Sequence, residues 1–538
     1  MGLVPSNSSI NHRPHFSGLV LLVAILGLAF ILRMKFWGQP FEMDEGAHAY
    51  MGWGMLQGLV PYRDMYNGKP PGIYALHALL FLLVKPTALN IKIFATIYTL
   101  GTTLVVYYVT RKVAGQKAGI AAALLFGIFS PGPKIEGGGV NSEVFMILPY
   151  TLAACSLMRA VESSKPRQYF LFGLWTGLAC SIKQVAGVNL FWIACYMVFR
   201  IWRANEWQAV ARTLRDGMWV AVGMAASWLP FLVYFYSHQA LRDLYFWQTT
   251  ASFKYVADGY LGGPNFSLLY KQMKHVLSEN LLLWILALLG IVCTWQKLPN
   301  GRILGSESDE AEWRPVSLIL LSTWPFFSFI GIAAGGRFFA HYFIQIIPSL
   351  TITGGIGLAG LTSQIHVQQV NFLRRPSSLV LAAALLGSLV LFLITEAPYY
   401  TSYNGIQISL RQYSSPLFSV TRFIGKYLGD RTKPEDFIYV WAVNPEINFY
   451  ALRKSPTPYV MHVGLENIPW DSYAQVLQCL HQTPPKYVVA MQSISGFQGL
   501  QNYLRQFYLE ESNPELDRLK QLINFKLYRL RDDGLTHQ

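Results

Sequence analysis

The chain has 538 residues, 52% hydrophobic and only 13% charged, with its apolar residues in long blocks separated by short basic connectors, which is the profile of a polytopic membrane protein. The net charge of +14 lies mainly in those connectors, where the positive-inside rule puts Lys and Arg, so no nucleic-acid partner is expected. Cys155, Cys180, Cys195 and Cys293 sit in apolar runs and Cys479 stands alone in a polar stretch, which leaves no disulfide framework and no metal-ligand spacing.

The first apolar run, Leu19–Phe36, is too long for a signal peptide, lacks a small-residue cleavage site and is followed by further runs, so an uncleaved first span is expected. Ten more segments, roughly 91–110, 116–131, 143–160, 168–182, 184–200, 217–237, 279–296, 316–333, 338–361 and 378–396, bring the expectation to about eleven spans. "GIYALHALLFLLV" (72–84) is short for a crossing and suits a helix lying along the surface. If it does not cross, the basic connectors Arg111–Lys117, Arg159–Arg167, Arg200–Arg215, Lys297–Arg314 and Arg374–Arg375 all share one side, the cytoplasmic one. The N-terminus is then inside. The loop 38–90, the segments 126–143, 181–184, 238–278 and 333–342, and everything after Thr395 are then outside.

In "FEMDEGAHAY", Asp44 and Glu45 are neighbours, about 100° apart on a helix, so only one of them can aim at a given reacting atom. Asp44 and His48, four apart, share a helical face. An acidic pair that merely opens a helix in a loop accounts for these residues as well as a catalytic role does. "YNGKPPGIYAL" puts Lys69 just before two prolines at a helix start, where unpaired N–H groups attract an anion such as phosphate. A snorkelling lysine is the commoner alternative.

Glu136 and Glu143 flank "GGGVNS"; Glu143 opens the next span, where helix-end complementation is the plain explanation and Asn141 or Ser142 can cap. Lys183, in "SIKQVAG", is a charge inside an apolar hairpin and so a functional candidate. "GGRFFAHYFIQIIP" puts Arg337 and His341 four apart at the mouth of a span, on one face, with Phe338, Phe339 and Tyr342 pointing elsewhere. There Arg337 is a candidate phosphate clamp or a headgroup anchor. From about 398 to 538 the composition changes. "DFIYVWAV", "PYVM", "PKYVVAM" and "NFKLYRLR" read as short strands between helical "NPEINFYAL", "DSYAQVLQCLH" and "PELDRLKQLI", a small α/β domain without a phosphate loop or nucleophile elbow. The chain thus divides into a membrane module, 1–397, and an outer domain, 398–538.

An acid, one or two phosphate-binding cations and a partner-binding domain on one membrane face suit group transfer from a lipid-linked phosphate donor. At "DEGAHAYMGWGMLQGLVPYRDMYNGKPPGIY" the chain resembles the GT-C glycosyltransferases of the protein-mannosyltransferase-like branch, glycosyltransferase family 39 and its bacterial relatives including the aminoarabinose transferases. The resemblance runs over most of 19–361, through Asp44-Glu45, Gly58, Pro61-Tyr62, Asp64 and Lys69-Pro70-Pro71, with "NSEVF", "GLACSIKQ" and "GRFFAHYFIQIIP" in support. It implies a polyprenyl-phosphate-sugar donor, an envelope acceptor (protein, lipid or glycan) held outside the inner membrane in the periplasm, and inversion at the anomeric carbon. By that resemblance Asp44, with Glu45 beside it, is the catalytic carboxylate and Lys69 a ligand of the donor phosphate, joined by Arg337 and His341. His48, Tyr62, Asp64, Glu143 and Lys183 are further contacts for donor or acceptor. Ala47 departs from the aminoarabinose transferases, which carry arginine three positions after the aspartate. No cofactor is expected, since two cations can stand in for a divalent metal. The competing reading is a polyprenyl-phosphate transporter or flippase with the same cations and no chemistry.

Overall fold

Long runs of Leu, Ile, Val and Ala cannot leave backbone N–H and C=O groups bare in lipid, and the helix satisfies both within one segment. The computed structural model describes residues 14–204, 206–260, 263, 265–297, 313–367, 376–461 and 472–532. The connector residues 298–312 and 368–375, which hold Arg374–Arg375 and all of Lys297–Arg314 but its ends, lie outside the described residues.

In chain order the helices of the first part are α1 (Pro14–Met34), α2 (Met43–Leu56), α3 (Pro71–Leu83), α4 (Ala88–Ala114), α5 (Gln116–Phe129), α6 (Ser142–Ser163), α7 (Pro166–Ile182) and α8 (Val188–Ala204). They continue with α9 (Trp207–Ser237), α10 (Leu241–Phe246), α11 (Ser252–Gly259), α12 (Phe266–Lys297), α13 (Trp313–Ala333), α14 (Ile347–Val367) and α15 (Pro376–Thr401). Among the described residues seven segments are long and apolar enough to cross a membrane: Ala88–Ala114, Ser142–Ser163, Gln184–Ala204, Trp207–Ser237, Pro315–Ala333, Ala340–Leu361 and Val380–Thr401. An eighth is added if α12, bent by 93° near its middle, is one span. The protein is therefore a multi-pass membrane protein. All eleven apolar runs are helical, but α5 has 14 residues and α7 has 17. At about 1.5 Å per residue these reach roughly 21 and 25 Å, short of a hydrocarbon core of about 30 Å. The 13-residue α3 is shorter still.

Five polar segments far apart in sequence meet at one end of this bundle. Arg33, at the end of α1, donates to the Gly137 carbonyl at 3.1 Å, and the Val140 N–H donates to Glu45 of α2 at 2.5 Å. Gln184 donates to Gly68 O at 3.1 Å and Gln248 to Lys69 O at 3.3 Å. Lys134 donates to Ser278 at 2.7 Å, and His341 pairs with Glu136 at 3.0 Å. The segments expected to share one face are thus in contact with one another.

After α15 come α16 (Gly405–Tyr413), α17 (Leu417–Gly429), β1 (Ile438–Trp441), α18 (Glu446–Ala451), α19 (Ser472–Gln482), β2 (Tyr487–Ala490), α20 (Gln498–Phe507), β3 (Tyr508–Glu510), α21 (Pro514–Lys520) and β4 (Lys526–Leu530). The sheet order is β1-β2-β4-β3. β1 and β2 are parallel with Ile438 opposite Tyr487, and β4 runs antiparallel to both β2 and β3. Three of the four expected strands form. "PYVM" does not, because its backbone is used elsewhere: Pro458 O accepts from Tyr66 N at 2.7 Å.

That bond belongs to a broader docking of this part on the loop 38–90. Tyr450 Oη accepts from Phe41 N and Tyr50 Oη from Ser455 N, both at 2.8 Å. Arg422 donates to Gly38 O at 3.0 Å, and the Phe41 and Phe449 rings lie 5.8 Å apart. At the centre Gly46 of α2 faces Glu446 so closely that a Cβ there would overlap the Glu446 backbone.

Candidate active site

α2 begins with a reciprocal cap: the Glu42 carboxylate accepts from Glu45 N and the Glu45 carboxylate accepts from Glu42 N. This orients the first turn and leaves Asp44 pointing away from the cap. Its Oδ2 lies 2.9 Å from Lys69 Nζ, and each side chain is about a fifth exposed. Lys69 is fixed by its backbone. Its N–H donates to Asn67 Oδ1 at 3.0 Å, and its carbonyl accepts from Tyr62 Oη at 2.7 Å and Tyr74 Oη at 3.2 Å. Tyr62 reaches that carbonyl from a left-handed backbone, φ 70°, a strained conformation for a tyrosine. Burial favours the neutral form of Asp44, but the Lys69 ammonium outweighs it and holds the carboxyl well below the usual range. Burial likewise opposes the Lys69 charge, and Asp44 overrides it and raises Lys69 well above its ordinary value.

Of the remaining expected residues of the loop, Glu45 and Asp64 have structural partners and His48 has none for its ring nitrogens. Glu45 is buried and ties α2 to Val140, and burial raises its carboxyl against the pull of Lys92. Asp64 accepts from Val60 N at 2.8 Å and pairs with Arg63 at 2.8 Å. His48 is fully buried with neither ring nitrogen partnered, 6.2 Å from the Tyr74 ring. Burial lowers it to about 3, so the imidazole is neutral.

A second charged group lies across from the first. Glu143, in the first turn of α6, forms an ion pair with Lys183, the residue that breaks the chain between α7 and the turn Gln184–Gly187. Lys183 Nζ lies 3.8 Å from the Tyr342 ring centroid. His341 Nδ1 is 3.0 Å from Glu136 and its Nε2 is 3.9 Å from Glu143. Ser142 donates to Glu143 at 3.0 Å, while Asn141, at the N-cap, makes no capping bond through its side chain.

Arg337 and His341 do not share a helical face. Gly336 and Phe338 have φ of 64° and 48° and a 3₁₀ run begins only at Ala340, so the two diverge. His341 turns to Glu136, and the Arg337 guanidinium lies 4.4 Å from the Tyr255 ring centroid. Tyr342, expected to point elsewhere, faces Lys183.

The triple glycine after Glu136 is a packing requirement at every position. A Cβ at Gly137 would overlap Ser130 O, one at Gly138 the Phe36 ring, and one at Gly139 the Glu45 carboxylate. Not singled out from the sequence are Tyr255, Gln184 and Gln248, neutral residues with no charge to mark them. The available signal was position: Gln184 follows Lys183, and Gln248 and Tyr255 are seven apart in an outer segment. Among the described residues no group of three or more His, Cys, Asp or Glu is arranged to hold a metal ion.

The whole architecture matches solved membrane proteins. ArnT from Cupriavidus metallidurans bound to undecaprenyl phosphate superposes with a TM-score of 0.59, covering 95% of this chain and 98% of that one at 13% identity. The chain has the GT-C fold. A second GT-C structure, the oligosaccharyltransferase AglB from Archaeoglobus fulgidus in complex with an inhibitory peptide and a dolichol-phosphate, gives a TM-score of 0.52 at 13% identity, covering 96% and 74%. Residues 68–242 match the family described as dolichyl-phosphate-mannose-protein mannosyltransferase. An uncharacterized protein of Aquifex aeolicus is 27% identical over 194 residues, 35% of this chain. That match spans 43% of the relative's own length.

Proposed function

We propose that this protein transfers a sugar from a polyprenyl-phosphate donor to an acceptor hydroxyl or amine of the cell envelope, with inversion, on the outer face of the membrane. The observation that carries the reading is the Asp44–Lys69 pair, 2.9 Å apart, set where five polar segments converge at one end of the bundle. Two structures of the same fold, ArnT bound to undecaprenyl phosphate and AglB in complex with a dolichol-phosphate, support the donor class.

The chemistry follows from the pair. An aspartate held low by an ammonium is a poor base, and the ammonium is the group a phosphate would seek. A donor phosphate drawn to Lys69, with Arg337 and His341 as further ligands, competes with Asp44 for the same charge. As Lys69 turns to the phosphate, Asp44 loses its nearest cation and its proton affinity rises. It then accepts the proton of the acceptor while that atom attacks the anomeric carbon, the carbon–oxygen bond to phosphate breaks, and the polyprenyl phosphate leaves with the electron pair. Glu143, paired with Lys183, also favours the charged form of Lys69.

The placement of 38–90 and the C-terminal part outside rests on the basic connectors at the opposite end, such as Arg111–Lys117 and Arg159–Arg167. The test is turnover of a polyprenyl-phosphate sugar by purified protein with envelope extract as acceptor. Release of free polyprenyl phosphate that requires Asp44 supports the reading, and its absence from every extract counts against it.

A further inference from the structure

The charged half of the site accounts for a phosphate and a proton. One neighbouring face carries no charge. In the segment between α9 and α12, Gln248, Ser252 and Tyr255 project to the same side, and each reaches the site. Gln248 Nε2 donates to Lys69 O at 3.3 Å. Ser252 Oγ and Gln248 Oε1 are 3.4 and 3.3 Å from Gln184 Nε2. Tyr255 Oη is 3.2 Å from Tyr342 Oη, whose ring lies against Lys183. The alignment depends on a turn of π-helix, Trp247–Ala251, an irregularity that often marks functional sites. Ser252 bonds back to Trp247 O at 2.9 Å.

The hydrogen bonds of this face are oversubscribed. Gln184 Nε2 has two protons for three acceptors, Gly68 O, Gln248 Oε1 and Ser252 Oγ. The Lys69 carbonyl has two lone pairs for three donors, Tyr62, Tyr74 and Gln248. A ligand can therefore take over some of these groups without stranding their present partners. Gln184 and Tyr255 are exposed and Gln248 and Ser252 partly so. Amides and hydroxyls that both donate and accept, with no charge among them, match an uncharged polyol. The face lies one lysine side chain away from the ammonium that would hold the phosphate.

We infer that Gln184, Gln248, Ser252 and Tyr255 form a subsite for the sugar of the donor, selecting an uncharged, hydroxyl-rich ring. This rests on the proposed use of a polyprenyl-phosphate donor and names the class of group transferred. An amino sugar would bring its ammonium toward Arg337 and Lys183, the cations that lie against Tyr255 and Tyr342, and be repelled.

Undecaprenyl phosphate and the same lipid phosphate carrying an uncharged hexose, measured side by side on the full-length protein in detergent, separate sugar recognition from phosphate recognition. Gln184→Ala with Gln248→Ala is expected to weaken binding of the hexose-bearing lipid about tenfold, the loss of one or two neutral hydrogen bonds, and to leave the bare phosphate within twofold. Tyr255→Phe, which removes one oxygen and keeps the ring on Arg337, is expected to shift the same way by a smaller factor. Equal weakening of both lipids would mean that the amides only position Lys69, and no weakening of either would mean that the face contacts no sugar; each overturns the inference. If the unaltered protein bound neither lipid, the donor assignment itself would fall, a separate result.

Discussion

The Lys69 ammonium and the Asp44 carboxylate, 25 positions apart in the chain, lie 2.9 Å from each other. Neither is spare: each is the partner that the other would have to give up for chemistry to occur. The donor phosphate is then expected to bind in competition with Asp44, so neutralising the carboxylate should strengthen phosphate binding. Asp44→Asn is expected to tighten undecaprenyl phosphate by a few fold, measured by titration of the purified variant.

Lys69→Ala and Arg337→Ala should each weaken that lipid by about 1.5–3 kcal/mol, the usual worth of a charge-assisted hydrogen bond. Lys69→Arg should restore only part, since a planar guanidinium on this backbone presents its donors differently from a compact ammonium. If both cations hold one phosphate, the double variant will depart from the sum of the single losses. Strictly additive small effects would make at least one of them a membrane anchor.

Much of this site was legible in the sequence, and the reasons for the rest are physical. The helices follow from apolar runs whose length a bilayer sets, and the loops holding Asp44, Lys69, Glu143, Lys183 and His341 stand out because charge beside lipid is costly. The pairings were not legible: Asp44 with Lys69, Glu143 with Lys183 and His341 with Glu136 each depend on the packing of separate helices. Arg337 and His341 seemed to share a face only if the chain were helical from 337. Two left-handed residues, Gly336 and Phe338, delay the turn, and the phenylalanine gave no hint of it. Nor does a lone Gly46 announce that another part of the chain will pack against it.

That contact makes a prediction of its own. Gly46→Ala should lower the melting temperature and expose the stretch after Thr401 to limited proteolysis, because the added Cβ overlaps the backbone of Glu446 and rigid packing resists it. Gly27→Ala, with open space around it, is the control expected to change neither. Equal behaviour of the two variants would mean that the docking is looser than this contact requires.

Glu446 also sets a pH dependence. Burial, only partly offset by the Asn444 hydrogen bond, raises its carboxyl from 4.5 to about 7. The folded state therefore holds a proton that the unfolded chain has released, and stability falls as pH rises from about 4.5 to about 7. Over that window the loss is on the order of 3 kcal/mol. Glu446→Gln keeps the shape without the charge, so it should be the more stable protein at pH 8 and lose its advantage near pH 4.5, as read from melting curves in detergent.

Topology is checked by placing single cysteines at Lys85 and Lys165, exposed positions separated by α4, by α5, which though short returns the chain to the end where Gly137 meets Arg33 and Val140 meets Glu45, and by α6. An impermeant thiol reagent should label the first in intact cells and the second only after permeabilisation. The reverse pattern would move Asp44 and Lys69 to the cytoplasmic side.

The most direct measurement of the central claim pairs binding with turnover in one variant. Asp44→Asn protein, given a polyprenyl-phosphate sugar that the unaltered protein turns over, is expected to bind it at least as well and to release polyprenyl phosphate about 10²–10⁴-fold more slowly, the usual share of a positioned general base. Turnover near that of the unaltered protein, with binding intact, would contradict the assignment of Asp44 as the group that takes the acceptor's proton.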